Sequence, residues 1–287
     1  MSNLIFKSQN FQSNNQIDQL KPNLILSAIT MEPLTDSKPK PLDSKSDGTI
    51  AEETKQASTT VDTDDWKRKE SWDWTHFFTV PLNFPEFKLQ FEELIELINK
   101  EFGEEYKKNF QGPNIVHLSL VQMKLNPERK KKLLEIIPKL ERKISERFQD
   151  QTNKMEFDEL AMFSFGKGSG VLYLEVIENK LIDNLNALTH ELCEFLLAEK
   201  VIDQNDIKTS HITYDKKLSR YVMDQFHITL MKSSFSRGKK DHKDLKPVLE
   251  KFKEHTWKPV VVDHIDLSIR GEYTPDGYYL PLKTFKF

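Results

Sequence analysis

The chain has 287 residues, a formal net charge of −3 and a single cysteine, Cys193. That length can bury a sizeable core, that charge excludes a general polyanion binder, and one cysteine cannot build an internal disulfide framework. No apolar run approaches the roughly 20 residues needed to span a bilayer, and "MSNLIFKSQN" lacks the charged start and sustained apolar stretch of a secretory leader. A nuclear or cytoplasmic protein with no membrane contact is the expectation.

Residues 1–71 are rich in Ser, Asn, Gln, Asp, Lys and Thr, as in "DSKPKPLDSKSDGTIAEETKQASTTVDTDD". Such a composition buries too little apolar surface to offset the entropy of ordering, which predicts a disordered N-terminal tail. Within it, "NLILSAI" (Asn23 to Ile29) fits either a docking motif for a protein complex or a stretch of solvated tail. "WKRKESW" has the basic residues of a minimal nuclear signal and little else.

From Trp72 onward strand and helix patterns alternate, which predicts one α+β domain over residues 72–287. "HFFTVPL" has the aromatic and β-branched content of a buried strand. "PEFKLQFEELIELINKEF" places Phe87, Phe91, Leu94, Ile98 and Phe102 on one helical face. "IVHLSLVQMKL" reads as a strand. "NPERKKKLLEIIPKLERKISERF" reads as a helix capped by Asn126, with Pro127 in its first turn and a kink or break at Pro138. "DELAMFSF" and "GVLYLEVI" form a hairpin around the glycine-bearing "GKGS". "NKLIDNLNALTHELCEFLLAEK" is a helix whose buried stripe holds Ile182, Leu185, Leu188, Leu192 and Leu196. Then follow "QFHITLMKSSF" as strand, a basic loop, and "HKDLKPVLEKFKEH" as helix. "PVVVDHIDLSI" and "YYLPLKTFKF" close the chain as strands around the turn "TPDG". A triplet-bearing strand followed by a helix and further strands thus occurs twice, which predicts two similar lobes.

Three His-x-Ser/Thr triplets mark the chain. In a strand, residues i and i+2 share a face, so each triplet projects an imidazole and a hydroxyl together. His117 and Ser119 are backed by Val116, Leu118 and Leu120. His227 and Thr229 are backed by Phe226, Ile228 and Leu230. The third copy, His211 and Thr213 in "TSHITYDKK", lacks that apolar backing and reads as the edge of a loop, a surface coincidence. Two histidines facing each other across a cleft suit general acid–base work near neutral pH. Two hydroxyls beside them can donate to phosphate oxygens as charge develops. No Cys/His spacing or carboxylate cluster makes a metal site, and acyl transfer lacks an evident nucleophile. A metal-independent phosphodiester reaction, with no cofactor, is the chemistry these residues suit.

The ordered set "WDWTHFFTVPL", "VHLSLVQMKL", "FSFGKGSGVLYLEV", "FHITLMKS" and "HIDLSIRGEYTPDGYYLPLKTF" resembles the 2H phosphoesterase superfamily, also called LigT-like or RNA-ligase-like. The similarity is to its eukaryotic branch, which includes the central domain of an A-kinase anchoring protein and the C-terminal domain of an activating signal cointegrator subunit. The resemblance implies a bilobal fold with two pseudo-symmetric lobes around a central cleft, and His117, Ser119, His227 and Thr229 as site residues. It implies action on RNA ends, 2′,3′-cyclic phosphates or 2′-5′ oligonucleotides. The alternative it leaves open is a non-catalytic subunit of a nuclear complex that binds nucleotide, RNA or protein.

Further candidates surround the triplets. Phe165 and Tyr173 flank the hairpin turn and suit either base stacking or core packing. Lys232, Arg237, Lys239, Lys240, Lys243 and Lys246 follow the last triplet and suit either an RNA backbone or a solvated loop. His264, Asp266 and Ser268 share a strand face without further marks of catalysis.

Overall fold

The alternating patterns resolve into one seven-stranded antiparallel sheet carrying helices on its apolar side. A computed structural model of the chain describes residues 73–149, 153–166, 169–233 and 243–287. The expected tail, with its "NLILSAI" and "WKRKESW" motifs, lies outside them. The described residues all belong to the compact unit Ser58–Phe287, and none of their helices is long and apolar enough to cross a membrane.

The first strand is β1 (His76–Pro81), followed by α1 (Pro85–Phe102) and β2 (His117–Met123). Helix α1 buries Phe87, Phe91, Leu94 and Ile98, the stripe its spacing predicts. Helix α2 (Pro127–Phe148) starts at Asn126, whose side chain accepts from the Arg129 amide. It runs unbroken through Pro138, so of the expected kink or break the break does not occur. Proline removes the hydrogen bond to the carbonyl four residues back. That carbonyl belongs to Leu134, a residue on the exposed side of the helix, where solvent can take over a lost internal bond.

The expected hairpin is β4 (Phe157–Gly166) with β5 (Ser169–Val176), preceded by the two-residue β3 (Lys154–Met155). Helix α3 (Lys180–Ala198) is capped by Asn179 and buries the predicted leucine stripe. A short helix that pattern reading missed, α4 (Gln204–Thr209), follows under a capping box from Asp203 and Asp206. Next come β6 (Ile212–Asp215) and β7 (Arg220–Met223), a separate two-stranded hairpin where a loop was expected. Its short strands have too little alternation to read as strands. The second triplet strand is β8 (His227–Lys232), and α5 (Lys246–Phe252) is shorter than its predicted span.

One expected strand becomes two, β9 (Val260–Val261) and β10 (His264–Tyr273), before β11 (Tyr279–Lys286). Strand β9 leaves the main sheet to pair with β3, and the Val262 amide donates to the Asn153 carbonyl, which breaks the run. The turn at Thr274–Tyr278 closes as "TPDG" predicts, with Gly277 at φ 85°.

The sheet order is β11-β10-β1-β2-β8-β5-β4. The succession β2, α2, β3, β4, β5 is matched by β8, α5, β9, β10, β11, so the described elements form two similar halves in chain order. The halves' strands β2 and β8 meet at one residue pair, Leu118 with Ile228. Both are fully buried in the core cluster shared with the helices.

Candidate active site

The single pairing of Leu118 with Ile228 aims the site. Each is the middle residue of its triplet, so the antiparallel register sets His117 across from Thr229 and Ser119 across from His227. Because Leu118 and Ile228 point into the core, all four polar side chains point to the opposite face. Direct cross-strand neighbours carry Cβ atoms about 5 Å apart. The four are half-buried, while Leu118, Leu120, Ile228 and Leu230 are fully buried.

A β-bulge in each triplet strand extends this face. In β2, Thr79 pairs with Ser119 but Phe77 pairs with Gln122, which leaves one extra residue on β2. In β8, Thr229 pairs with Tyr173 but Met231 pairs with Leu172, again with one residue too many. The extra residue reverses the alternation, so Gln122 and Lys232 come round to the histidine side. Backbone groups at the bulges find partners outside the strands. The Gln122 amide donates to Ser210 Oγ at 2.8 Å, and the Gln111 amide donates to the Leu230 carbonyl at 2.7 Å.

The two histidines are held alike. His117 Nδ1 lies 2.8 Å from the Ile115 carbonyl, and His227 Nδ1 lies 3.2 Å from the Gln225 carbonyl. A carbonyl only accepts, so Nδ1 carries the proton in both and Nε2 is left with its lone pair. Rings brace each imidazole edge-on. His117 packs against Phe77 and Tyr279, with centroids at 5.3 and 5.4 Å. His227 packs against Phe163 and Tyr173, at 5.0 and 5.5 Å. The Gln111 side chain bonds Tyr279 and lies 3.5 Å from the same Ile115 carbonyl that holds His117.

Burial pushes both imidazoles towards the neutral form. His117 falls to about 4, mainly from desolvation, with further lowering by the charges of Lys232 and His227. His227 is lowered by burial first, then by the charges of His211 and Lys232, against the raising effect of its carbonyl bond. Lys232 is itself lowered by burial and by Arg270. Burial thus favours the neutral form of both imidazoles, with Lys232 on the same face beside them.

The sequence candidates fall into distinct places. His117, Ser119, His227, Thr229 and Lys232 share one face. Tyr173 is there too, but it is only 5% exposed. It stacks on Phe163 at 4.2 Å, and its hydroxyl accepts from Gln225 at 3.1 Å. It is a wall of the site with no open ring face. Phe165 is 71% exposed, and Phe163 takes the position beside Tyr173. Arg237, Lys239 and Lys240 lie outside the described residues, while Lys243 pairs with Glu105 and Lys246 with Glu250. His211 is exposed, with left-handed backbone at φ 55°. Its charge nonetheless reaches His227. Pattern reading missed Phe77, Phe163, Tyr279, Gln111 and Gln122; only the bulges and distant ring contacts bring them in. Among the described residues no group of three His, Cys, Asp or Glu side chains could hold a metal ion.

A family model described as the AKAP7 2′5′ RNA ligase-like domain matches residues 74–287. The chain belongs to this family. The match spans every described element of the chain. Among solved structures, E. coli LigT complexed with ATP is similar at 16% identity and a TM-score of 0.44, covering 75% of this chain and 98% of its own. Kluyveromyces marxianus Usb1 with uridine monophosphate is similar at 10% identity and a TM-score of 0.41, with 75% and 98% covered. TT0787 of Thermus thermophilus is similar at 19% identity and a TM-score of 0.39, with 74% and 97% covered. No curated protein matches the chain.

Proposed function

We propose that this domain is a metal-independent phosphodiesterase acting on RNA ends, 2′,3′-cyclic phosphates or 2′-5′ oligonucleotides by two-histidine acid–base catalysis. The observation that carries this reading is the register of Leu118 against Ile228, which sets each histidine across from the other triplet's hydroxyl. A phosphate seated between them meets two imidazole Nε2 atoms and two hydroxyls. His117 is the base, since burial keeps it neutral down to about pH 4. Its Nε2 takes the proton of a water, whose oxygen attacks phosphorus. His227 is the acid, and its Nε2–H protonates the departing ribose oxygen as the P–O bond breaks. Ser119 and Thr229 donate to the non-bridging oxygens. Lys232 offsets their charge. An anionic phosphate cancels the repulsion from Lys232 and lifts the affinity of His227 for a proton, so the acid is charged once substrate is bound.

The test is a panel of 2′,3′-cyclic nucleotides, 2′-5′ oligoadenylate and short RNA, hydrolysed in EDTA by the wild type, His117→Ala and His227→Ala. Turnover in EDTA that falls by about 10²–10⁴ in each variant is expected. Equal turnover in all three proteins, or none on any substrate, overturns the reading. Nucleotide binding without turnover in the wild type assigns the domain instead to a binding subunit of a larger assembly.

A further inference from the structure

Rings continue outward from His117 along the β10–β11 hairpin. Tyr279 meets His117 edge-on, and its other neighbour is Tyr273, nearly parallel to it at 5.4 Å and 26°. These two tyrosines pair directly across the hairpin. Tyr273 is 54% exposed, so the half-buried Tyr279 supports one ring face and water meets the other. An exposed aromatic face held flat by a second ring is a surface on which a nucleobase stacks without regard to its identity.

Arg270 lies three residues before Tyr273 on β10, within electrostatic reach of Tyr279. Its guanidinium lies over the Trp74 ring at 4.3 Å, and Nη1 donates to the Trp74 carbonyl at 3.3 Å. Its charge reaches Lys232 and Tyr279. A guanidinium stacked on an aromatic ring is pre-organised for a phosphate at its edge. The β4–β5 hairpin offers no match: Phe165 is exposed, but no ring contact supports it among the described residues. The path of rings and positive charge leaves the site on the β10–β11 side.

We propose that the β10–β11 hairpin holds a second nucleotide subsite, in which Tyr273 stacks the neighbouring base and Arg270 binds that nucleotide's phosphate. The proposal rests on a phosphate lying between His117 and His227. It selects single-stranded oligonucleotides over mononucleotide cyclic phosphates.

The experiment compares wild type, Tyr273→Ala and Tyr273→Phe on a trinucleotide and on a 2′,3′-cyclic mononucleotide. The ratio of the two KM values should rise about tenfold or more in Tyr273→Ala and return towards wild type in Tyr273→Phe, which keeps the ring. An unchanged ratio overturns the subsite, and so does a loss shared by both substrates. If the wild type hydrolyses neither substrate, the phosphodiesterase reading fails by itself. The subsite is then read from the Kd of a fluorescently labelled trinucleotide. A Kd about tenfold weaker in Tyr273→Ala supports it. An equal Kd, or no binding to the wild type, overturns it.

Discussion

At the residue scale the two imidazoles carry matched hydrogen bonds and unequal proton affinities. His117 titrates near 4 and His227 below its usual 6.5. With His117 as base and His227 as acid, kcat/KM should rise as pH is lowered from 8 towards 6, because more His227 is protonated at each step. The acid limb should appear only near pH 4, where His117 takes its proton. A profile that climbs from pH 6 to 8 would contradict the assignment. Folding stability moves with the same groups. The unfolded chain binds protons first as pH falls from about 6.5 towards 4, so the native state loses stability across that window, a shift that unfolding midpoints at several pH values measure. His211 tests the selectivity of the pair. It repeats the triplet, but its exposed ring lies off the shared face. His211→Ala should keep turnover within about threefold of wild type, on the scale of a small exposed-charge effect. A loss comparable to His227→Ala would place it in the reaction.

At the element scale, an ion-pair clasp joins the start of α2 to α4. Arg129 Nη2 meets Asp203 at 2.6 Å and Nη1 meets Asp206 at 3.1 Å. The two carboxyls respond in opposite directions. The Arg129 bond lowers Asp203, whereas burial raises Asp206 against its hydrogen bonds. Asp206 also accepts from the Lys124 amide at 2.6 Å, which ties the clasp to the end of β2. Arg129→Ala should cost about 3 kcal/mol, because it strands a buried carboxylate; a thermal or urea unfolding midpoint close to wild type would rule this out. The asparagine cap of α2 was readable from sequence because capping is a local exchange between a side chain and an amide three residues on. The continuity of α2 past Pro138 was not, because it depends on whether water reaches one carbonyl, and that is settled by what packs around the helix.

At the scale of the whole molecule, the family match at 74–287 and the described elements from His76 onward motivate a domain that folds alone. The fragment 72–287 is expected to unfold cooperatively at the midpoint of the full chain and to retain its hydrolysis; failure to fold would move the boundary upstream. Within this domain, strand alternation alone determined that His117 shares a face with Ser119, and His227 with Thr229, because a two-residue period is a property of the local backbone. Apolar backing likewise separated these triplets from the copy at His211. Only the tertiary structure decided that Leu118 lies opposite Ile228, that a bulge in each triplet strand turns Gln122 and Lys232 to the histidine side, and that Phe77, Tyr279 and Phe163 brace the imidazoles. Those relations join segments far apart in the chain, and they follow from register and packing between strands, which no periodicity within a single strand encodes.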